Sequence, residues 1–321
     1  MIPVGHPYQA AGPIDFRSVL TTVILGTVIA ILSGLGVWLW EASPLPTMVI
    51  LTSIIQGAVI GLALAFMIGR LRLRAPKLLA TIGLACGLAS VAIVHYGHHL
   101  RFVDRVVSVY CEEIEADQSL SSERKRELIA ASEGDPGAVA DEFLVARTGH
   151  AGLVGSLIMR SETGVTIKHT ALTGWGVWLL WGCEALCVAG LAAAMAGSRA
   201  SEPFCEECGD WCVKEPGRLT LAGESAGPLA EAVRIDDTAA VASLRDRPAG
   251  EGDGTSAAGA TLHACPGCEQ AFGDVWHRVD KVRKGKTEST TKVLVKRLRV
   301  SPEMVALLRA GPSSPVAEPE G

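Results

Sequence analysis

The chain of 321 residues is 49% hydrophobic but only 5% aromatic, and its formal net charge is -5. A mean hydropathy of +0.31 is too apolar for an ordinary soluble chain, and the negative balance excludes a globally basic nucleic-acid binder. The apolar surplus lies in Leu, Ala, Val, Ile and Gly, which suits close helix packing in lipid better than a large aromatic core.

In chain order, the first long apolar run is Val19 to Trp40, which contains no charged residue. At a rise of about 1.5 Å per residue, roughly 20 such residues cross a hydrocarbon layer. The second run covers 47–68. A third, Leu78 to Val94, is lengthened to 78–96 by His95 and Tyr96, which suit an interface. A fourth occupies 172–196. The first run is long and only Arg17 precedes it closely, which favours a retained helix over a cleaved leader. The predicted fold is therefore a mainly α membrane protein, built on a four-helix transmembrane bundle.

The short loops orient the bundle. Arg70, Arg72, Arg74 and Lys77 fill the loop after the second run, whereas Glu41 to Pro46 holds one carboxylate and no Lys or Arg. The positive-inside rule puts the basic loop and both termini in the cytoplasm of a plasma or inner membrane. The resulting division is an N-terminal transmembrane region over 1–100, an extracytoplasmic insert over 101–171, the fourth span over 172–196, a cytoplasmic domain over 201–310 and a disordered tail over 311–321.

Small residues at four-residue spacing, Gly57 with Gly61, Gly83 with Gly87, and Ala185, Ala189, Ala193 and Gly197, predict close backbone approach within the bundle, with a homo-oligomer as the other use of such rows. Glu184 falls mid-span, where a charged carboxylate costs roughly 2.5 to 3.5 kcal/mol on insertion scales. A protonated Glu184 bonded to Gln56 would meet that cost, giving an intramembrane polar site of Glu184 and Gln56 and a proton-relay alternative. Cys183 and Cys187 flank Glu184 one turn apart and read as packing residues, since a regular helix does not offer disulfide geometry. His95, His98 and His99 recur at helical i, i+3 and i+4, a spacing that permits a weak external metal site.

The insert reads as a small α+β domain. Val103, Val106, Val107 and Tyr110 continue a helical pattern past the third span, and further helices are predicted over Ser122 to Ala131 and from Pro136 to about Arg147. Gly152 to Met159 and Val165 to His169 are predicted strands. Cys111 is its lone thiol, and no nucleophile, triad or phosphate loop accompanies it.

The tail opens with Cys205-Glu-Glu-Cys208 followed by Gly209, and a second pair follows at Cys265-Pro-Gly-Cys268. Two Cys-x-x-Cys pairs supply four thiolates, enough to close a tetrahedral shell. With predicted strands Val275 to Arg283 and Lys292 to Val300, the last third of the chain resembles a zinc-ribbon domain. That resemblance implies structural zinc held by Cys205, Cys208, Cys265 and Cys268. The segment between the pairs is longer than the usual roughly 15 to 20 residues, and it includes predicted helices over Leu229 to Val233 and Thr238 to Leu244, then a flexible loop over Pro248 to Gly259. Cys212 and His263 are alternative ligands.

Residues Trp276 to Arg299 hold nine Lys or Arg against two acids, a basic hairpin suited to anionic lipid headgroups or an acidic protein partner, with nucleic acid a weaker option. Together these features predict a polytopic scaffold, sensor or regulatory protein, set in the lipid bilayer and carrying a zinc-stapled cytoplasmic domain. A small transporter or proton-coupled protein using Glu184, or a membrane enzyme, is the alternative.

Overall fold

A computed structural model describes residues 4–10, 15–41, 49–167, 170–246, 256–283 and 286–310. The chain falls into two units, Pro13–Ala200 and Met1–Gly12 with Ser201–Gly321.

The first unit is helical. Asp15 opens α1 (Phe16–Glu41) by accepting the backbone N–H groups of Arg17 and Ser18 and the Ser18 hydroxyl, so orphan donors at the helix start are satisfied. Then come α2 (Val49–Leu71) and α3 (Pro76–Ala116), the latter a single helix of 41 residues, about 60 Å at 1.5 Å per residue. Three shorter helices follow, α4 (Ser122–Gly134), α5 (Pro136–Thr148) and α6 (Gly152–Thr163). A two-stranded ribbon of β1 (Val165–Ile167) and β2 (Thr170–Leu172) then leads to α7 (Trp175–Ala200). Four of these helices, α1, α2, α3 and α7, are long and apolar enough to cross a membrane.

Glycine decides how the four meet. α7 packs against α2 and α3, while α1 lies mainly on α3. A Cβ added at Gly87 of α3 would stand 2.5 Å from the Ala189 Cα of α7, and one at Gly83 would stand 2.8 Å from the Ala192 carbonyl oxygen. Gly57 of α2 meets Val188 of α7 at 2.9 Å in the same way. The buried stripe of α7 is Ala189, Ala192, Ala196 and Ala200, a different row from the predicted Ala185, Ala189, Ala193 and Gly197. α1 buries a row of its own, Thr22, Gly26, Ala30 and Gly34.

The insert departs from the sequence-based expectation. Gly152 to Met159, read as a strand, forms α6, which runs on through Arg160 and Ser161; Asp141 of α5 accepts the Gly152 N–H at 2.7 Å and so satisfies an orphan donor at the helix start. Gly155 packs against Leu144 of α5, where a Cβ would lie 3.1 Å from the leucine Cβ. Among the described residues the insert is thus helical, with β1 and β2 as its sheet, and residues 168–169 of the predicted second strand lie outside them.

The second unit mixes helix and sheet. Short β3 (Phe204–Cys205) and β4 (Asp210–Trp211) form a hairpin, and β5 (Val213–Ala222) enters the main sheet. A 3-10 turn at Gly223–Ser225 precedes α8 (Ala226–Arg234) and α9 (Thr238–Arg245). β6 (Ser256–Ala264), β7 (Ala271–Arg283), β8 (Lys286–Val300) and α10 (Pro302–Ala310) complete it. The four strands β5 to β8 form an antiparallel meander in sequence order. One face buries Leu219, Leu262, Val275 and Leu298 beneath Leu229, Val233, Val241, Met304 and Leu308 of the three helices. Each fully buried Leu contributes roughly 1.5 to 3 kcal/mol by leaving water. Of the predicted loop over Pro248 to Gly259, residues 256–259 are the start of β6, and 248–255 lie outside the described residues, as does 311–321.

Residues 5–8 join this sheet. Gly5 and Tyr8 donate their N–H groups to the carbonyls of Arg299 and Arg297 at 3.0 and 2.8 Å, and Arg299 donates back to His6 at 3.0 Å. The exposed edge of β8 is thereby partly paired.

Replacing Gly87 by Leu should lower the stability of the purified full-length protein by about 1 to 3 kcal/mol or more, because Ala189 backbone leaves no room for the added atoms. The check is a thermal melt in detergent beside Gly182→Leu, where an added Cβ meets nothing within 4 Å and a shift near zero is expected.

Candidate metal centre

The first Cys-x-x-Cys pair sits on the β3–β4 hairpin. Its turn closes through the Gly209 N–H donating to the Cys205 carbonyl at 2.9 Å, and Gly209 takes a positive φ of 68°, a conformation that glycine adopts without a Cβ penalty. The second pair sits on the connection from β6 to β7, where the Cys265 N–H donates to the Gln270 carbonyl at 2.9 Å. Since β5 follows β4 directly and pairs with β6, Val213 stands opposite Ala264 and the two turns are brought side by side.

Cys205, Cys208, Cys265 and Cys268 offer four sulfurs that all lie within 4.8 Å of one another, a group that could hold a metal ion. The Cys205 and Cys268 sulfurs are 3.5 Å apart, well beyond a disulfide bond of about 2.05 Å. Gly267 makes room for the cluster: a Cβ there would stand 3.1 Å from the Cys208 sulfur. Tyr8, Cys212 and Phe272 pack around the sulfurs, with the Tyr8 and Phe272 rings edge to face at 5.2 Å. The cluster is therefore half embedded in an apolar wall built from both ends of the chain.

Electrostatics separate the thiols. Hydrogen bonds shared with Cys268 and Cys265 push Cys208 far above the ordinary thiol range. Burial opposes ionisation of Cys265 too, but the Gly267 amide, donating to its sulfur at 3.4 Å, and the neighbouring thiols outweigh that and hold it below the ordinary value. Cys212 is pushed up to about 12, first by burial and then by the nearby sulfurs. It lies outside the four-sulfur group. So does His263, whose Nε2 lies 3.1 Å from the Asp274 carboxylate. Asp274 also accepts the Arg297 N–H at 2.5 Å, at a residue with φ of 51°, and the Arg297 guanidinium reaches the Ser201 carbonyl. Burial of Asp274 raises its pKa, but the His263 and Arg297 contacts outweigh that and hold the carboxyl below its ordinary range.

Comparison of the chain with known protein families, with characterised proteins and with solved structures finds no match. The cysteine group is the basis for any functional reading of this unit.

In the helical unit the predicted polar residues meet other partners. Gln56 donates to the Ser90 hydroxyl at 2.7 Å and Glu184 accepts from the Ser53 hydroxyl at 3.1 Å, so the direct Glu184–Gln56 bond is not formed, although both side chains line one cavity. Serines on α2 and α3 stand nearer than the two long side chains do to each other. His95, His98 and His99 do not gather as a metal-holding group among the described residues. His98 pairs with Glu41 at 2.6 Å, and His95 faces Arg160 at 3.4 Å and the Trp181 ring at 5.0 Å. His99 lies beside Tyr96, its ring centroid 6.1 Å away. Each ring answers to a different neighbour, and Arg160, one residue past the end of the predicted strand over Gly152 to Met159, lies on α6 beside His95.

Substituting Asp274 by Ala strands the Arg297 N–H and His263, and an unsatisfied buried partner costs roughly 1 to 3 kcal/mol. Denaturant unfolding followed by Trp fluorescence should register a loss of that order, whereas Asp246→Ala, at an exposed helix end, should register little.

Proposed function

We propose that the protein is a polytopic membrane scaffold or regulator whose Cys205, Cys208, Cys265 and Cys268 bind one structural zinc ion on the cytoplasmic side. The observation that carries this reading is the four-sulfur group. A Zn–S bond of about 2.3 Å gives a tetrahedron with edges of about 3.8 Å, close to the 3.5 Å separation of Cys205 and Cys268 and inside the 4.8 Å limit of the whole set. Cys208 and Cys268 are partly accessible while Cys205 and Cys265 are buried, so an ion can enter and then be enclosed. Four thiolates close the shell, which favours a structural over a catalytic ion.

The cytoplasmic placement is supported by charge and by connectivity. Arg70, Arg72 and Arg74 lie at the end of α2 and in the short connection to α3. The segments before α1 and after α7 belong to one unit, as an even number of crossings requires. The β7–β8 hairpin, with Lys281, Lys292 and Lys296 in its strands, would then present basic side chains to anionic headgroups or to an acidic protein partner. Not all of its charges are available, since Arg278 lies 3.4 Å from Asp280 and Arg297 is occupied at Ser201.

Full-length protein purified without added metal should carry one zinc per chain by elemental analysis. Cys265→Ser should lose most of it and unfold the second unit, with a chelator producing the same change in the wild type. Metal-free protein that keeps its fold would overturn the structural-zinc reading. Thiol labelling from each side of sealed vesicles should find Cys208 accessible from the cytoplasmic side only.

A further inference from the structure

The helical unit holds a cavity of about 220 Å³ whose lining includes Glu41, Gln56, His95, His98, Arg160 and Glu184. Its charges are unevenly matched. Glu41 is paired with His98 at 2.6 Å. Among the described residues the Arg160 guanidinium has no carboxylate within 4 Å; it lies over the Trp181 ring at 5.2 Å with His95 at 3.4 Å as its hydrogen-bond partner. Glu184, among the described residues, has no cation within 4 Å and receives a single hydroxyl donor, from Ser53. The Arg160 guanidinium and the Glu184 carboxyl group thus line the same space without being paired to each other.

A second hollow adjoins it. An apolar groove of about 400 Å³ runs along α2 and α7, lined by Ile50, Leu172, Leu179, Cys183 and Cys187, and Leu180 and Glu184 border both the groove and the cavity. The groove lies where Ile50 and Leu179 are exposed, at 70% and 67%, on helices apolar enough to contact lipid. A polar chamber with opposite unpaired charges, next to a lipid-facing apolar groove, has the chemistry of a zwitterionic headgroup and its chain.

We propose that the cavity and groove bind a phospholipid with an ethanolamine headgroup: its phosphate meets Arg160, its primary ammonium meets Glu184 and the Gln56 carbonyl oxygen, and one acyl chain follows the groove. A guanidinium suits a phosphate because it offers paired donors in one plane. Glu41 and Glu184 both act on Arg160 through space, so a lipid with only negative charge would meet repulsion that an ammonium relieves. A choline headgroup has no N–H to give to Glu184 or Gln56, so the buried carboxylate would keep the Ser53 hydroxyl as its donor and gain no further one from the ligand, which is costly. The shared chemistry, an ammonium and a phosphate on one ligand, could also arrive as free phosphoethanolamine; the groove favours the lipid.

The inference rests on the membrane reading of the four helices, which alkaline extraction of native membranes tests separately. Full-length protein, stripped of lipid in detergent, is titrated by native mass spectrometry with phosphatidylethanolamine, phosphatidylcholine and phosphatidylglycerol of identical chains. The expected result is about tenfold tighter binding of the ethanolamine lipid than of either other, equivalent to about 1.4 kcal/mol. Glu184→Gln should abolish the preference over choline, and Arg160→Gln should weaken binding of all three about tenfold. Equal binding of the three lipids, a preference that survives Glu184→Gln, or no retained lipid would each overturn the proposal. Displacement of the lipid by equimolar free phosphoethanolamine would overturn the lipid as the ligand and assign the cavity to a soluble zwitterion.

Discussion

The helical unit depends on the close approach of α7 to α2 and α3, an approach that exists only because side chains are missing from the contact. Between apolar helices in lipid there is no gain from excluding water, and association rests on dispersion contacts, which fade within an ångström of added separation. Gly57, Gly83 and Gly87 lower that separation to backbone contact with Val188, Ala189 and Ala192. Once α7 is seated against two helices, Trp181 and Glu184 have no choice but to face inward, and the polar chamber is a by-product of the same geometry. α1 needs a different row, Gly26 and Gly34 with Ala30 between them, to lie on α3.

Much of this was legible because both features that define the chain have short-range signatures. Four apolar runs need only length and composition, and paired cysteines at two-residue spacing need only to be counted. What could not be read from sequence was any contact settled by a partner far along the chain. Gly152 to Met159 has a strand's composition yet forms a helix, packed on α5 and with a first N–H taken by the Asp141 carboxylate. β5 was hidden by Pro216-Gly217, whose bulge interrupts the register, and β6 by an Ala- and Gly-rich sequence with low strand propensity. Gly259 in β6 is there because the Trp276 ring lies 2.4 Å from where its Cβ would be. The four sulfurs were identifiable as a set, but excluding Cys212 and His263 from it required their packing and their partners.

The polar residues of the helical unit illustrate a general difficulty. Spacing along a helix states which side chains share a face, not which will meet, since the neighbours come from other helices. His95, His98 and His99 share a face of α3, yet each answers to a different element: Arg160 of α6, Glu41 of α1 and Tyr96 one turn away. Glu184 and Gln56 were matched by depth and were in fact separated by two serines closer to each.

The pairing of residues 5–8 with the edge of β8 joins segments almost three hundred positions apart, so this sheet has one of the highest contact orders the chain allows. During synthesis the first of these residues emerges long before its partner, and the whole helical unit, followed by most of the second unit, is made in between. In a chain whose four helices cross a bilayer, the two segments can meet only if the number of crossings made in the interval is even. A helix that failed to insert, or a span that looped back, would leave Tyr8 on the wrong side of the membrane from Phe272 and the wall around the cysteines incomplete. On the proposed reading of four membrane crossings, closure of that wall would act as a parity check on their insertion.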